Sequence, residues 1–195
     1  MPGPEKQFEV AEALDAAMGV FWQHGFRAAS LSELMAAMGI SKKSLYDTFG
    51  NKRELFIRAL KHYMIKQEGE LRRELSKGDS PLANLLGVLK KWQKSAGKPK
   101  SNGCMLATNI ADFDTDDQEI AAYFREALAN VEIAFHDTLL QAKAANEIDS
   151  EINTRNLARM LVALSQGTAL LGRVFETNTV PDSIGAGLLS LISRK

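Results

Sequence analysis

The sequence predicts an all-helical protein, with an N-terminal three-helix domain carrying a helix-turn-helix and a larger helical domain behind it, about nine helices in all. Three observations predict it. Between Ser30 and Leu55, three helix-start signals and one glycine-centred turn lie within 26 residues. Elsewhere apolar residues recur at intervals of three and four. No segment alternates with the period of two that a half-buried strand needs.

The first helix is expected from about Pro4 to His24, with Phe8, Ala11, Leu14, Ala17, Met18 and Phe21 on one apolar stripe. Ser30 and Glu33 then have the spacing of a capping box, in which the hydroxyl and the carboxylate each satisfy a backbone N–H that the helix leaves unpaired. A short helix follows, with Leu31, Leu34, Met35 and Met38 facing inward, and Gly39 can adopt the left-handed conformation that ends it. Ile40 plugs the turn, and Ser41 caps a second short helix running to about Phe49. Asn51 and Glu54 repeat the capping arithmetic and open a long helix to Lys77, along which Leu55, Phe56, Ala59, Leu60, Tyr63 and Met64 keep helical spacing.

Gly78-Asp79-Ser80-Pro81 stops that helix and starts another bearing Leu82, Leu85, Leu86, Leu89 and Trp92. After a loop from Ser95 to Gly103, helices are expected over Cys104–Phe113, Asp117–Asn146 and Ser150–Glu176. Val180-Pro181-Asp182 opens a last one ending near Ser193. The expected division is 1–50 and 51–195, with 51–77 as a linker helix.

Composition excludes several classes. Hydrophobic residues make up 45%, enough for a packed core. Lys+Arg and Asp+Glu are equal at 24 each, but residues 1–100 hold 17 basic against 11 acidic side chains and the remainder holds 7 against 13. The basic half contains the helix-turn-helix. The first twenty residues lack the basic start of a secretory leader, and Leu157–Phe175 is too interrupted by Arg159, Ser165, Gln166 and Arg173 to span a bilayer. The lone cysteine, Cys104, cannot form an internal disulfide, which suits a cytoplasmic protein. His24, His62 and His136 are scattered, with no zinc-protease pair, phosphate loop or nucleophile elbow, so neither catalysis nor a metal or cofactor is expected.

In the second short helix Leu45 and Phe49 face inward, leaving Lys42, Lys43, Ser44, Tyr46, Asp47 and Thr48 outside. These side chains suit a major groove: lysine reaches guanine or phosphate, hydroxyls reach base edges or phosphate, and a tyrosine hydroxyl reaches a phosphate oxygen. Asp47 fits poorly, since phosphate repels it unless it takes a cytosine amino group or points away.

The run Phe21-Trp22-x-x-Gly25-Phe26-Arg27-x-Ala29-Ser30-Leu31, followed by Gly39-Ile40-Ser41-Lys42-Lys43-Ser44-Leu45-Tyr46-x-x-Phe49-x-Asn51-Lys52-x-x-Leu55, resembles the N-terminal domain of TetR-family transcriptional regulators. That resemblance covers about a third of the chain. It implies that Ser32, Lys42, Lys43, Ser44, Tyr46, Thr48 and Lys52 contact double-stranded operator DNA, with Tyr46 and Lys52 gripping phosphate. It also implies a homodimer, a small-molecule effector and, by default, repression.

The apolar arc around Leu157, Met160, Leu161, Leu164, Leu171 and Phe175 is wide enough for two neighbours. Leu161, Leu164, Gly167, Leu171, Ile184, Leu188 and Leu191 are therefore expected at a dimer interface, with Gly167 and Gly172 permitting close approach of another backbone. Trp92, Met105, Asn109, Phe113, Phe124 and Met160 have the mixed character of a ligand cavity, and equally of an ordinary core. Cys104 joins them, as a thiol made reactive by nearby Lys98 and Lys100 or as a small buried hydrophobe. The alternative reading is a helical ligand-binding or dimerisation module, or an enzyme, that binds no DNA.

Overall fold

The computed structural model describes residues 8–96, 98, 102–113 and 117–174, together with 183, 187 and 190. Among them the chain forms α1 (Val10–Ala28), α2 (Leu31–Met38), α3 (Lys42–Phe49), α4 (Lys52–Leu75) and α5 (Pro81–Ala96). Then come α6 (Met105–Asn109), a 3-10 turn (Ile110–Asp112), α7 (Gln118–Ala144) and α8 (Thr154–Leu171). The described residues contain no strand. Of the expected last helix, residues 183, 187 and 190 are described and helical, while Ile184, Leu188 and Leu191 lie outside the described residues.

Local chemistry sets the boundaries. The Ser30 hydroxyl accepts the Glu33 N–H at 3.2 Å while the Ser30 N–H donates to Glu33 Oε2 at 2.9 Å. Asn51 repeats the box: its Oδ1 accepts the Arg53 and Glu54 N–H groups, and its own N–H donates to Glu54 Oε2 at 2.8 Å. Gly39 ends α2 in the left-handed region with φ 66°, and the Ser41 hydroxyl caps α3 by accepting the Ser44 N–H.

Several boundaries differ from expectation. α1 runs Val10–Ala28, not about Pro4 to His24, carried past His24 across a kink at Gly25, and α8 ends at Leu171, short of Glu176. The sequence predicts one helix over Cys104–Phe113, but α6 is a single turn continued by the 3-10 segment. There the Asn109 amide donates to the Met105 and Phe21 carbonyls, and Arg27 holds Asp112, so the segment follows α1 instead of its own helical ladder. The last described helix begins at Thr154 rather than Ser150, where the Asn153 side chain accepts the Asn156 N–H at 3.0 Å.

Two hydrophobic clusters make the core. The first joins Ala17, Phe21, Leu34, Leu45, Phe49, Leu55, Phe56 and Leu60 to Met105, Leu106, Ile120 and Phe124. The second joins Leu71, Leu75, Leu85 and Val88 to Phe135, Leu139, Leu157, Ala158 and Leu161. α4 runs through both, its first half in one and its second in the other, so reader and body share a helix.

α1 breaks where it meets the body. Gly25 has φ 80°, and a Cβ there would lie 2.6 Å from Asp112 Oδ2. Replacing Gly25 by Ala imposes a left-handed backbone on an L side chain and pushes it into Asp112. The expected cost is about 1–3 kcal/mol of stability. Urea denaturation followed by circular dichroism measures it, with a lowered midpoint at unchanged slope as the expected outcome.

Candidate nucleic-acid interface and the cavity behind it

α3 is pinned by two buried residues, Leu45 and Phe49, and presents everything else. Lys42, Lys43 and Tyr46 are exposed, while Ser44 and Thr48 are half-buried. The Lys43 ammonium bonds Asp47 Oδ2 at 3.0 Å, one turn along the same face, which explains how a carboxylate is carried on this surface. Ser32 is exposed at the first turn of α2, its hydroxyl 3.0 Å from that of Ser30.

Lys52 is folded back: its ammonium donates to the Arg27 carbonyl at 3.3 Å and lies 4.8 Å from the centre of the Phe26 ring. Burial there pushes it below the usual lysine range. Sequence reasoning missed Arg58, which donates to the Thr48 carbonyl at 3.0 Å and stacks near Phe49. The signal was its position one turn after Glu54 on the outer face of α4.

Behind the reader stands an aromatic joint. Phe26 packs on Phe113 at 4.6 Å, Phe113 on Phe56 at 4.8 Å, and Phe21 on Phe56 edge-on at 5.1 Å. Polar contacts frame it. The Arg27 N–H donates to Asp112 Oδ2 and its Nε–H to the Asp112 carbonyl at 2.7 Å. Arg53 forks onto Asp117 at 2.8 and 3.0 Å and reaches Glu119 at 2.9 Å. The arginine, helped by the Ile120 N–H, holds the Asp117 carboxyl below its ordinary range.

A cavity of about 280 Å³ opens between α4, α5, α7 and α8, closed toward the reader by Trp22 and by Gly103–Cys104. Its walls combine Trp22, Tyr63 and Trp92 with Leu71, Val88 and Val131. The Trp22 indole N–H donates to the Gly103 carbonyl at 3.1 Å. Cys104 is half-buried on this wall, its Sγ 3.5 Å from the Tyr63 hydroxyl. Burial, with the thiol beside it, raises Tyr63 well above the usual phenol range.

Of the seven residues expected at a ligand cavity, Trp92 and Cys104 line this one. The other five do not. Met105 and Phe124 are packed in the first core cluster, Phe113 is in the aromatic joint, and Asn109 is tied to two backbone carbonyls. Met160 is 48% exposed, because it points away from the cavity on the outer side of α8.

That outer side is apolar. Met160, Ala163, Leu170, Leu171 and Val174 are exposed, with Leu164 and Gly167 half-buried between them. Leu161 differs from the interface expectation: at 1% exposure it packs inside the protomer against the second core cluster. Gly172 meets its own chain too, since a Cβ there would run into the Ala96 carbonyl. Around Gly167 the space is open.

The sequence profile described as bacterial regulatory proteins, tetR family, matches residues 13–59, and that of the tetracyclin repressor-like C-terminal domain matches residues 81–187. This chain belongs to the TetR family. The regulator is 32% identical over 175 residues to the HTH-type transcriptional repressor ComR of Escherichia coli (strain K12), covering 88% of this chain and 82% of that one. To the HTH-type transcriptional regulator YezE of Bacillus subtilis (strain 168) it is 30% identical over 150 residues, 76% of this chain and 77% of the other. Its fold matches a cysteine-substituted form of the TetR family regulator CifR bound to 26-bp double-strand operator DNA, with TM-score 0.84, 22% identity and coverage of 95% and 97%. No helix among the described residues is long and apolar enough to cross a membrane.

The Arg53–Asp117 fork gives the regulator an acid-sensitive strut. Asp117 titrates lower in the folded chain than in the unfolded one, so its contribution is complete above the unfolded value near pH 4 and is lost as pH falls through the folded value. Asp117→Asn keeps a good helix cap and removes the charge. It should lower stability by about 0.5–1 kcal/mol at neutral pH. In urea titrations the difference from the parent should shrink as pH falls below the unfolded value near pH 4 and vanish once the lowered folded value has been passed.

Proposed function

We propose that this protein is a homodimeric, cytoplasmic repressor without enzymatic activity that reads a palindromic operator and lets go when a small molecule enters the cavity. The observation that carries the reading is the presentation of α3: two buried anchors fix it rigidly, and its outer face offers lysines, hydroxyls and a tyrosine to solvent. Lys42, Lys43, Ser44, Tyr46 and Thr48 contact the groove and its rim, Ser32 adds a contact from α2, and Lys52 reaches phosphate by leaving the Phe26 ring. One such helix covers little duplex. Two, held by symmetry, contact half-sites about 34 Å apart or a multiple of that.

The exposed stripe on α8 supports the pairing, because Met160, Ala163, Gly167 and Leu170, with Leu164 and Leu171 beside them, keep the three-and-four spacing of a helix seam, and Val174 continues it just beyond the helix end. Coupling to the cavity runs through the segment 102–113. At one end Gly103, Cys104 and Leu106 line the cavity, and at the other Asp112 and Phe113 grip Arg27 and Phe26 beside the reader. A ligand that displaces this segment or α4 changes the separation of the two α3 helices. Moving the population from 99:1 to 1:99 takes about 5.5 kcal/mol of differential binding.

Selection of duplexes from a randomised pool tests the DNA reading. An enriched inverted repeat is expected, and its absence overturns the proposal. With that operator, log affinity should fall against log salt by about 0.9 per phosphate neutralised. Tyr46→Phe weakens binding to every sequence alike, whereas Lys43→Ala costs about 1–3 kcal/mol at one operator position and relaxes preference there. Sedimentation should show dimers at micromolar concentration, and Leu171→Glu should yield folded monomers that no longer bind the operator.

A further inference from the structure

Part of the cavity wall is charged in a way that an apolar pocket does not require. Glu68, Glu70 and Glu74 project along it from α4, and the described lining residues include one cation, Lys91 of α5, and no arginine or histidine. Glu68 is held elsewhere, by Arg72 at 2.9 Å and by the Asn130 amide at 3.3 Å. Glu70 and Glu74, one turn apart on α4, share the Lys91 ammonium at 2.6 and 3.4 Å, and Lys77 approaches Glu74 only to 3.9 Å. We propose that the cavity takes a small organic cation with an apolar or aromatic body, its charged nitrogen lodging between Glu70 and Glu74 in place of the Lys91 ammonium.

The proposal rests on the reading of the cavity as the effector site and names the class of effector. The helix holds Glu70 and Glu74 one turn apart on one face, and the Lys91 side chain is half exposed and can swing into water at little cost. The lysine therefore marks a site built for an ammonium and guards it until a competing cation arrives. Trp22, Tyr63 and Trp92 line the same space, and such electron-rich rings attract a cationic body more than a neutral one. An anionic ligand would meet the carboxylates with no guanidinium to hold it. A neutral hydrocarbon would gain nothing from them.

The chain's two tryptophans, Trp22 and Trp92, both line the cavity, so their fluorescence reports occupancy. The probes are phenyltrimethylammonium and tert-butylbenzene, which share one shape and differ by a single positive nitrogen. On the full-length protein the cation should bind at least about tenfold tighter than the hydrocarbon. Lys91→Ala, which removes the internal competitor, should tighten the cation several-fold and leave the hydrocarbon unchanged. Glu70→Gln combined with Glu74→Gln should abolish the preference. Equal binding of the two probes, equal loss of both in the double variant, or no response to either overturns the proposal.

Anisotropy of a labelled operator in the same titration separates this inference from the reading it rests on. A hydrocarbon that binds and releases DNA as well as the cation does overturns the charge inference and leaves the effector reading standing. A cation that binds with the expected preference yet leaves DNA bound upholds the charge inference and overturns release.

Discussion

The packing of Phe26, Phe56 and Phe113 where α1, α4 and the 3-10 turn converge is the constraint on which the rest of the molecule depends. Phe56 is fully buried, worth about 1.5–3 kcal/mol by transfer, Phe26 and Phe113 are half-buried and contribute less, and each ring pair adds about 0.5–1.5 kcal/mol. The Arg53–Asp117–Glu119 ion pairs beside them are partly exposed and contribute about 0–1 kcal/mol each. The rings thus supply the adhesion. The charged groups supply direction, because a bidentate guanidinium tolerates little rotation and fixes the azimuth at which α4 meets α7.

α4 converts that joint into a mechanical link. Its first half lies in the cluster that joins the reader to Met105, Leu106, Ile120 and Phe124 of the body, and its second half in the body's own cluster, so neither domain can tilt without moving the helix or breaking a core. The cavity lies against the same helix, from Tyr63 to Glu74, and against the start of α6, which the 3-10 turn continues to Asp112 on Arg27. Interiors packed at crystal density do not deform continuously, which favours two discrete arrangements over a graded response.

How much of this was legible follows from how local each cause is. The boundaries of α2, α3 and the start of α4 could be read because Ser30–Glu33, Ser41 and Asn51–Glu54 fix them through neighbours three residues away. The length of α6 could not, because Asn109 binds Phe21, 88 residues distant, and Arg27 binds Asp112, 85 residues distant. The cavity was hidden for the same reason. Trp22 and Tyr63 carry the spacing of ordinary core positions, and only the tertiary arrangement leaves space beside them. Glu70 and Glu74 did interrupt the apolar pattern of α4 on the face Tyr63 begins, a signal that periodicity alone assigns to solvent. Asp47 looked misplaced on a cationic face until its partner one turn away was seen.

The Lys43–Asp47 pair gives α3 a muzzle of its own. A bare lysine is drawn to any duplex, and that indiscriminate pull lengthens residence on the vast excess of irrelevant DNA. On the proposed reading of α3, a base or phosphate that takes the Lys43 ammonium must first draw it from Asp47, which for so exposed a pair costs a few tenths of a kcal/mol. That small toll would fall on right and wrong sites alike, and only a site whose contacts to the freed ammonium exceed it would gain from Lys43 at all.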